Sequence, residues 1–316
     1  KFVEWSRGNS ITLERFDDYH GETPDVSKVV FRFIPEATNR TIELESGICD
    51  LAYEIQTSDL SRVADNPDLT LFSGISNSVR YIGFNCQKAP FDNVAVRQAI
   101  ASAINIEGIV NAVKMGKGVV ATNPIAPDIK YFNDDIKLRP YNPEGAKAAL
   151  AAAGYSNGLS TTIWVDEQKE RVDIATILQS QLAEIGVNAE IKVSEWSSHV
   201  TACYNGIDIY IFSWSCACPD PSIIFNSVFN SAMLGQGGNC SRIVDDRIDE
   251  LLSIGNTSMD ESERESAYKE IQQRVYDLVP WVPLWVDTIE IGANARIDSM
   301  PVTATTAWSI KNVILK

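Results

Sequence analysis

Histidine is scarce: the chain has two in 316 residues. Neither His20 nor His199 stands in an H-E-x-x-H pattern, and no G-x-S-x-G elbow occurs, which removes two common hydrolase signatures. Gly116-Lys117 lacks the spacing of a phosphate-binding loop. Ser266-Ala267-Tyr268-Lys269 satisfies S-x-x-K but falls inside a helical pattern without its companion motifs. Positive charge is also short. Lys and Arg number 27 against 42 Asp and Glu, a net charge of −15, and no basic cluster stands out. A nucleic-acid partner is therefore excluded, because phosphate binding needs a basic face. No apolar run approaches the roughly 18–20 residues that cross a bilayer as a helix, and no basic-then-apolar leader stands at Lys1.

The remaining composition is that of an ordinary folded chain, 45% apolar and 22% charged. Its length exceeds what one hydrophobic core usually organises, so two domains are expected. Six cysteines (Cys49, Cys86, Cys203, Cys216, Cys218 and Cys240) are many for a reducing compartment but too few for a dense disulfide framework. They fit an extracytoplasmic protein with one to three bridges, and a bridge from the Cys216/Cys218 loop to Cys240 is the preferred pairing. Cys216-x-Cys218 with Cys203, Cys240 and His199 suggests a metal set. However, Cys-x-Cys lacks the usual two-residue spacer, so a disulfide or free thiols stand ahead of it. No cofactor is implied. The acidic run Asp245, Asp246, Asp249 and Glu250 reads as a solvated face at a helix start.

Periodicity lays out the elements. A hairpin over 2–5 and 11–16 turns at Arg7-Gly8-Asn9. A strand over 29–34, a helix over 38–46 closed by Gly47, a strand over 49–55 and a helix over 58–64 follow. Strands over 69–73 and 79–84 complete a mixed α/β region. Tyr81 to Phe84 then runs into an exposed Pro90-Phe91 turn and a helix capped by Asp92 or Asn93. That helix carries Val96, Ala99, Ile100, Ala103 and Ile104 on one stripe. Pro143 opens another helix, ended by Gly154. Ile174, Ile177, Leu178, Leu182 and Ile185 line a third, which is followed by a strand over 187–193. Asp260 with Glu263 resembles a capping box, and Pro280 ends its helix. Strands over 281–286 and 309–315 close the chain, and Trp281 and Trp285 read as core.

Six segments in order carry a resemblance. They are Lys1–Trp5 with Ile11–Tyr19; Leu44-x-x-Gly47-x-x-Asp50; Tyr81–Asn85 with Pro90-Phe91-Asp92 and Val96-Arg97-Gln98-Ala99; Glu195-Trp196; Gly206-Ile207-Asp208 with Ser213-Trp214 and Pro219-Asp220-Pro221; and Pro280–Leu284. Together they resemble the family 5 extracellular solute-binding proteins, the ABC-importer receptors for oligopeptides, dipeptides, nickel complexes and some sugars. The resemblance implies an α/β, periplasmic-binding-protein-like (type II, cluster C) fold of two lobes. Residues 1–85 plus 294–316 would be the remainder of lobe one and 86–293 the second lobe, with hinge crossings near 81–88 and 285–293. Family members are roughly one and a half times this length. The chain is thus expected to be an N-terminally truncated fragment that lacks the front of lobe one and the small extra domain; the alternative is a naturally short protein.

By the same resemblance, the chain is a non-catalytic receptor outside the membrane, tethered as a lipoprotein in full length and monomeric. Its partners would be a peptide or other small solute and the permease subunits. The first alternative is a non-peptide ligand: a nickel chelate, an oligosaccharide or another small solute. The second is a secreted hydrolase working through carboxylates. Independently of the resemblance, the apolar run from Ile209 ends in Trp214 and a Pro-rich loop, which places a flat side chain at a strand terminus, where α/β sheets bind ligands. Trp214, Ser215, Cys216, Ala217 and Asp220 are the leading ligand-facing candidates; the resemblance adds Trp196 as a pocket aromatic and places Tyr81 and Asn85 at the hinge crossing. In peptide-binding relatives an aspartate three residues after the tryptophan neutralises the peptide ammonium. Here that position is Ala217, so recognition of a free amino terminus is in doubt. A desolvated ammonium without a carboxylate costs several kcal/mol.

Overall fold

The computed structural model describes residues 1–305 and 310–316. It divides into two units, Lys1–Ser76 with Thr288–Lys316, and Asn77–Asp287. The first unit opens with an antiparallel sheet of β1 (Phe2–Ser6), β2 (Ser10–Glu14) and β3 (Lys28–Arg32). Gly8 turns the hairpin at φ +75°, a conformation that costs glycine nothing. The register sets Trp5 opposite Ile11 and Leu13 opposite Val29. Next come α1 (Ala37–Glu45), β4 (Leu51–Tyr53) and α2 (Leu60–Ala64). Leu44, Ala52, Ile55, Leu60, Val63 and Leu69 bury one another as a small core. The strand expected over 49–55 is only three residues long.

Strand β5 (Leu69–Phe84) leads from the first unit into the second without a break. Sequence alternation suggested two strands, over 69–73 and 79–84, because Gly74, Ser76, Asn77 and Ser78 are weak strand formers. Pairing overrides that propensity. Cys216 N–H donates to the Asn77 carbonyl at 3.1 Å, and Asn77 Nδ2 donates to the Cys216 carbonyl at 3.2 Å.

The second unit continues with α3 (Val94–Ser102), α4 (Ile106–Lys114), β6 (Val119–Val120), α5 (Pro143–Leu150), β7 (Leu159–Asp166), α6 (Lys169–Glu184) and β8 (Val187–Ser194). After these come α7 (Trp196–Asn205), β9 (Ile209–Ser215), α8 (Ser222–Phe229), α9 (Asp246–Thr257) and α10 (Glu261–Leu278). Strand β10 (Trp281–Asn294) then returns the chain to the first unit. In the second unit β5 pairs antiparallel with β9, and β7 runs parallel to both β8 and β9. Short polar side chains start the helices as read from sequence. Asn93 caps α3 through Ala95 N–H, Asn142 caps α5, and Asp260 caps α10 through Ser262 and Glu263 N–H. The expected apolar stripe of α3 is buried throughout, as are Trp281 and Trp285. The Pro90-Phe91 turn differs from expectation: Phe91 is sealed inside, stacked on Phe84 at 5.4 Å, because the turn folds its ring into the core.

Back in the first unit, β10 pairs with β4, and β11 (Ile297–Ser299) pairs with β12 (Ile314–Leu315). Ile291, Ala293, Ile297, Met300 and Val313 pack as a further core. The final strand expected over 309–315 is reduced to β12 after a helical turn at Ile310–Asn312; Ser309 lies outside the described residues.

Candidate functional site

Strand β9 is flanked by β5 along Ile209–Ser215, but β7 accompanies it only at Ile209 and Tyr210. Among the described residues no strand pairs with the far side of β9 beyond that point. Phe212 to Ser215 thus form a strand edge with main-chain groups available for pairing. Trp214 lies opposite Val79 and is half-buried against the α8–α9 core. Gly238 passes close to its ring: a Cβ there would sit 3.1 Å from Trp214 Cη2 and 2.8 Å from the Ser227 carbonyl. Ser215 and Ala217 are exposed, whereas Cys216 is buried between them.

No carboxylate stands at Ala217, and the nearest acid in sequence is already engaged. Asp220 accepts from Ser222 N–H at 2.9 Å and from Arg264 Nη2 at 2.7 Å. Partial burial pushes its carboxyl up, but these two partners outweigh burial and hold it below the ordinary range. Arg264 also donates to the Gly255 carbonyl and to the Tyr131 hydroxyl. Asp220 is thereby fixed as the loop's anchor.

Beside this edge lies an ionic assembly that sequence reading missed. Arg171 Nη1 donates to Asp166 Oδ2 at 2.8 Å, with both side chains almost fully buried. Arg80 Nη2 lies 3.1 Å from Glu170 and 3.5 Å from Asp287. Lys114 meets the other oxygen of Glu170 at 3.2 Å, and Trp285 Nε1 donates to Asp287 at 2.8 Å. The cations Arg80, Arg171 and Lys114 face the anions Asp166, Glu170 and Asp287, so the assembly carries no net charge. The remaining guanidinium faces lie over rings: Arg80 over Trp285 at 5.9 Å, Arg171 over Trp196 at 5.0 Å and over Phe212 at 5.6 Å. The sequence did hold a signal, a charge inside the apolar run Val79-Arg80-Tyr81-Ile82.

Trp196, at the start of α7, is 46% exposed and stacks on Phe212 at 5.2 Å with rings 20° apart. It forms an open aromatic shelf next to the β9 edge. Tyr81 is only 1% exposed, stacked on Trp281 at 3.5 Å, and burial holds its phenol well above the ordinary range. Asn85 is buried too. Its Nδ2 donates to the Gly206 carbonyl at 2.9 Å and its Oδ1 accepts from Gln87 N–H at 3.1 Å, so it ties down a turn. The eight residues named from sequence therefore separate into an open group (Trp196, Trp214, Ser215 and Ala217), a clamped loop pair (Cys216 and Asp220) and a sealed pair (Tyr81 and Asn85).

All six cysteines are free thiols, so the bridge expected from the Cys216/Cys218 loop to Cys240 is not formed. The thiols of Cys216 and Cys218 turn instead to carbonyls of their own loop. Among the described residues no three His, Cys, Asp or Glu side chains are grouped to hold a metal. His199 is sealed, with Nε2 3.3 Å from the Ile211 carbonyl and 3.7 Å from Cys203 Sγ. The acidic run is more than a solvated face: Asp245 caps α9 and accepts from Nε and Nη2 of Arg274, at 3.0 and 2.6 Å. No helix among the described residues is long and apolar enough to cross a membrane.

Residues 1–235 match the family described as bacterial extracellular solute-binding proteins, family 5 middle. The heme-binding protein A of Haemophilus influenzae is 33% identical over 290 residues, covering 90% of this chain and 53% of the relative. The dipeptide-binding protein of Escherichia coli is 29% identical over 283 residues, covering 88% and 53%. Among solved structures, the periplasmic binding protein DppA from Helicobacter pylori in complex with peptide STSA superposes with a TM-score of 0.88 at 27% identity. That match covers all of this chain and 62% of the other. The oligopeptide-binding protein AppA from Bacillus subtilis in complex with a nonapeptide gives 0.85 at 26% identity, covering 100% and 66%. The chain spans about half the length of the curated relatives it matches.

Proposed function

Because the chain belongs to the family 5 bacterial extracellular solute-binding proteins, we propose that it is part of a receptor delivering a small solute, foremost a peptide, to an ABC importer. The receptor is non-catalytic, works outside the membrane as a tethered lipoprotein and hands its solute to permease subunits. The units Asn77–Asp287 and Lys1–Ser76 with Thr288–Lys316 are taken as the material of its two lobes. The observation that carries this reading is the strand edge of β9 over Phe212–Ser215, which includes the half-buried Trp214. An extended peptide adds to such an edge through main-chain bonds, while neighbouring side chains set specificity. The Trp196–Phe212 shelf offers a second, apolar contact. Relatives solved with a peptide and a nonapeptide support the ligand class.

A second reading has its own observation. Ala217 offers no charge and Asp220 is committed to Arg264, so neither position supplies a free carboxylate for an α-ammonium. A solute without an ammonium at that point, a non-peptide or a blocked peptide, suits it better than a free dipeptide. Calorimetry on the full-length protein with matched free and N-acetylated peptides tests both readings. Comparable affinity for the two forms is expected. Capture that collapses on acetylation would overturn the second reading, and no binding of either form would overturn the peptide assignment.

A further inference from the structure

We propose that Cys216 and Cys218 are an oxidisable dithiol whose closure to a disulfide reshapes the turn that presents Ala217. Cys216 Sγ donates to the Cys218 carbonyl at 2.9 Å and to the Asp220 carbonyl at 3.4 Å; Cys218 Sγ donates to the same Asp220 carbonyl at 3.6 Å. Two thiols that share one acceptor lie on the same side of the turn. Residues two apart cannot separate their Cα atoms by more than about 7 Å, which keeps the pair near the reach a disulfide needs. Cys86 turns to the Phe84 carbonyl and Cys203 to His199 instead. The pair also differs in access, since Cys218 is half-buried and Cys216 is buried.

That difference sets the order of reaction with a low-molecular-weight disulfide as oxidant. Cys218, as thiolate, attacks one sulfur of the reagent, forms a mixed disulfide and expels a thiolate that takes up the proton Cys218 gave away. Cys216, deprotonated in turn, attacks the Cys218 sulfur, closes the ring and expels the second thiolate, which is likewise protonated. Two electrons pass from the protein to the reagent, which leaves as two thiols. Burial pushes the Cys216 thiol up to about 11, so little of it stands as the thiolate that the second step requires. Closure removes the S–H donors from the Cys218 and Asp220 carbonyls, and the turn must find them other partners. The consequence for ligand binding rests on the ligand-facing reading of this loop; formation of the bond does not.

Full-length protein equilibrated in graded mixtures of reduced and oxidised glutathione, then alkylated with iodoacetamide and digested, tests the bond directly. The peptide carrying both cysteines is expected to become two hydrogens lighter and to lose both alkylation sites together. Cys216→Ser and Cys218→Ser should each abolish that species. Alkylation of both thiols across the whole range, or Cys216 bonded to another cysteine, would overturn the proposal. In the same samples, solute affinity is expected to differ at least about threefold between the two forms. Equal affinities with the bond formed would overturn the loop's place in the ligand face and leave the dithiol standing.

Discussion

Arg264 decides what Asp220 can do. A carboxylate that already accepts from a guanidinium and a backbone N–H is poorly placed to meet a second cation, so the loop after Trp214 is anchored and not electrostatically open. Arg264→Met should destabilise the protein by about 1.5–3 kcal/mol, the range for charged hydrogen bonds, read from the urea midpoint. Because the folded carboxyl is held down, its contribution is present above the ordinary aspartate value and is lost as pH falls through the folded one. His199 acts in the same sense at higher pH. Burial lowers its imidazole below the usual value, so the unfolded chain takes up that proton first. Stability should be full above about pH 6.5 and decline as the pH is lowered from there. His199→Gln should flatten that part of the profile in chemical denaturation; an unchanged slope would assign it to other groups.

At the scale of elements, a motif visible in the sequence acquires a mechanical role. Arg97 of α3 is 3% exposed and donates to the Leu278, Val279, Phe91 and Asp92 carbonyls, while Gln98 donates to the Asp277 carbonyl at 2.7 Å. The Val96-Arg97-Gln98-Ala99 run thus ties the C-terminal carbonyls of α10 to the turn before α3, where a cation also suits the helix dipole. Arg97→Met should cost about 3 kcal/mol by leaving buried carbonyls unpaired, measurable by denaturation, with little loss if those carbonyls find water. Helices with a polar cap and an apolar stripe were legible in sequence because both signals are local. Asn93 and Asp260 cap as their spacing indicates, and Pro143 opens α5. What pairing decides was not legible: β5 runs on through Gly74–Ser78 with β10 and β9 as its neighbours in the sheet, and β10 runs on beyond Val286 to pair with β4 at Ile291–Ala293. Local sequence also says nothing of the Arg80 and Arg171 partners, which come from five separate elements.

For the whole molecule, the family assignment and the two units stand on different ground from the ligand. The aromatic residues at 196 and 214 were named from sequence and both lie accessible near the β9 edge, while Tyr81 and Asn85 turned out to be sealed, a distinction that only packing makes. Trp214→Ala in the full-length protein should weaken solute binding at least about tenfold, or 1.4 kcal/mol, with a smaller change for Trp196→Ala. Receptor function itself is tested most directly by native mass spectrometry of the full-length protein purified from its own host. The account predicts a folded species carrying the extra mass of one small solute, released on unfolding and absent from the Trp214→Ala variant. A protein that emerges without solute, and gains no thermal stability from any peptide or small-solute library, would contradict it.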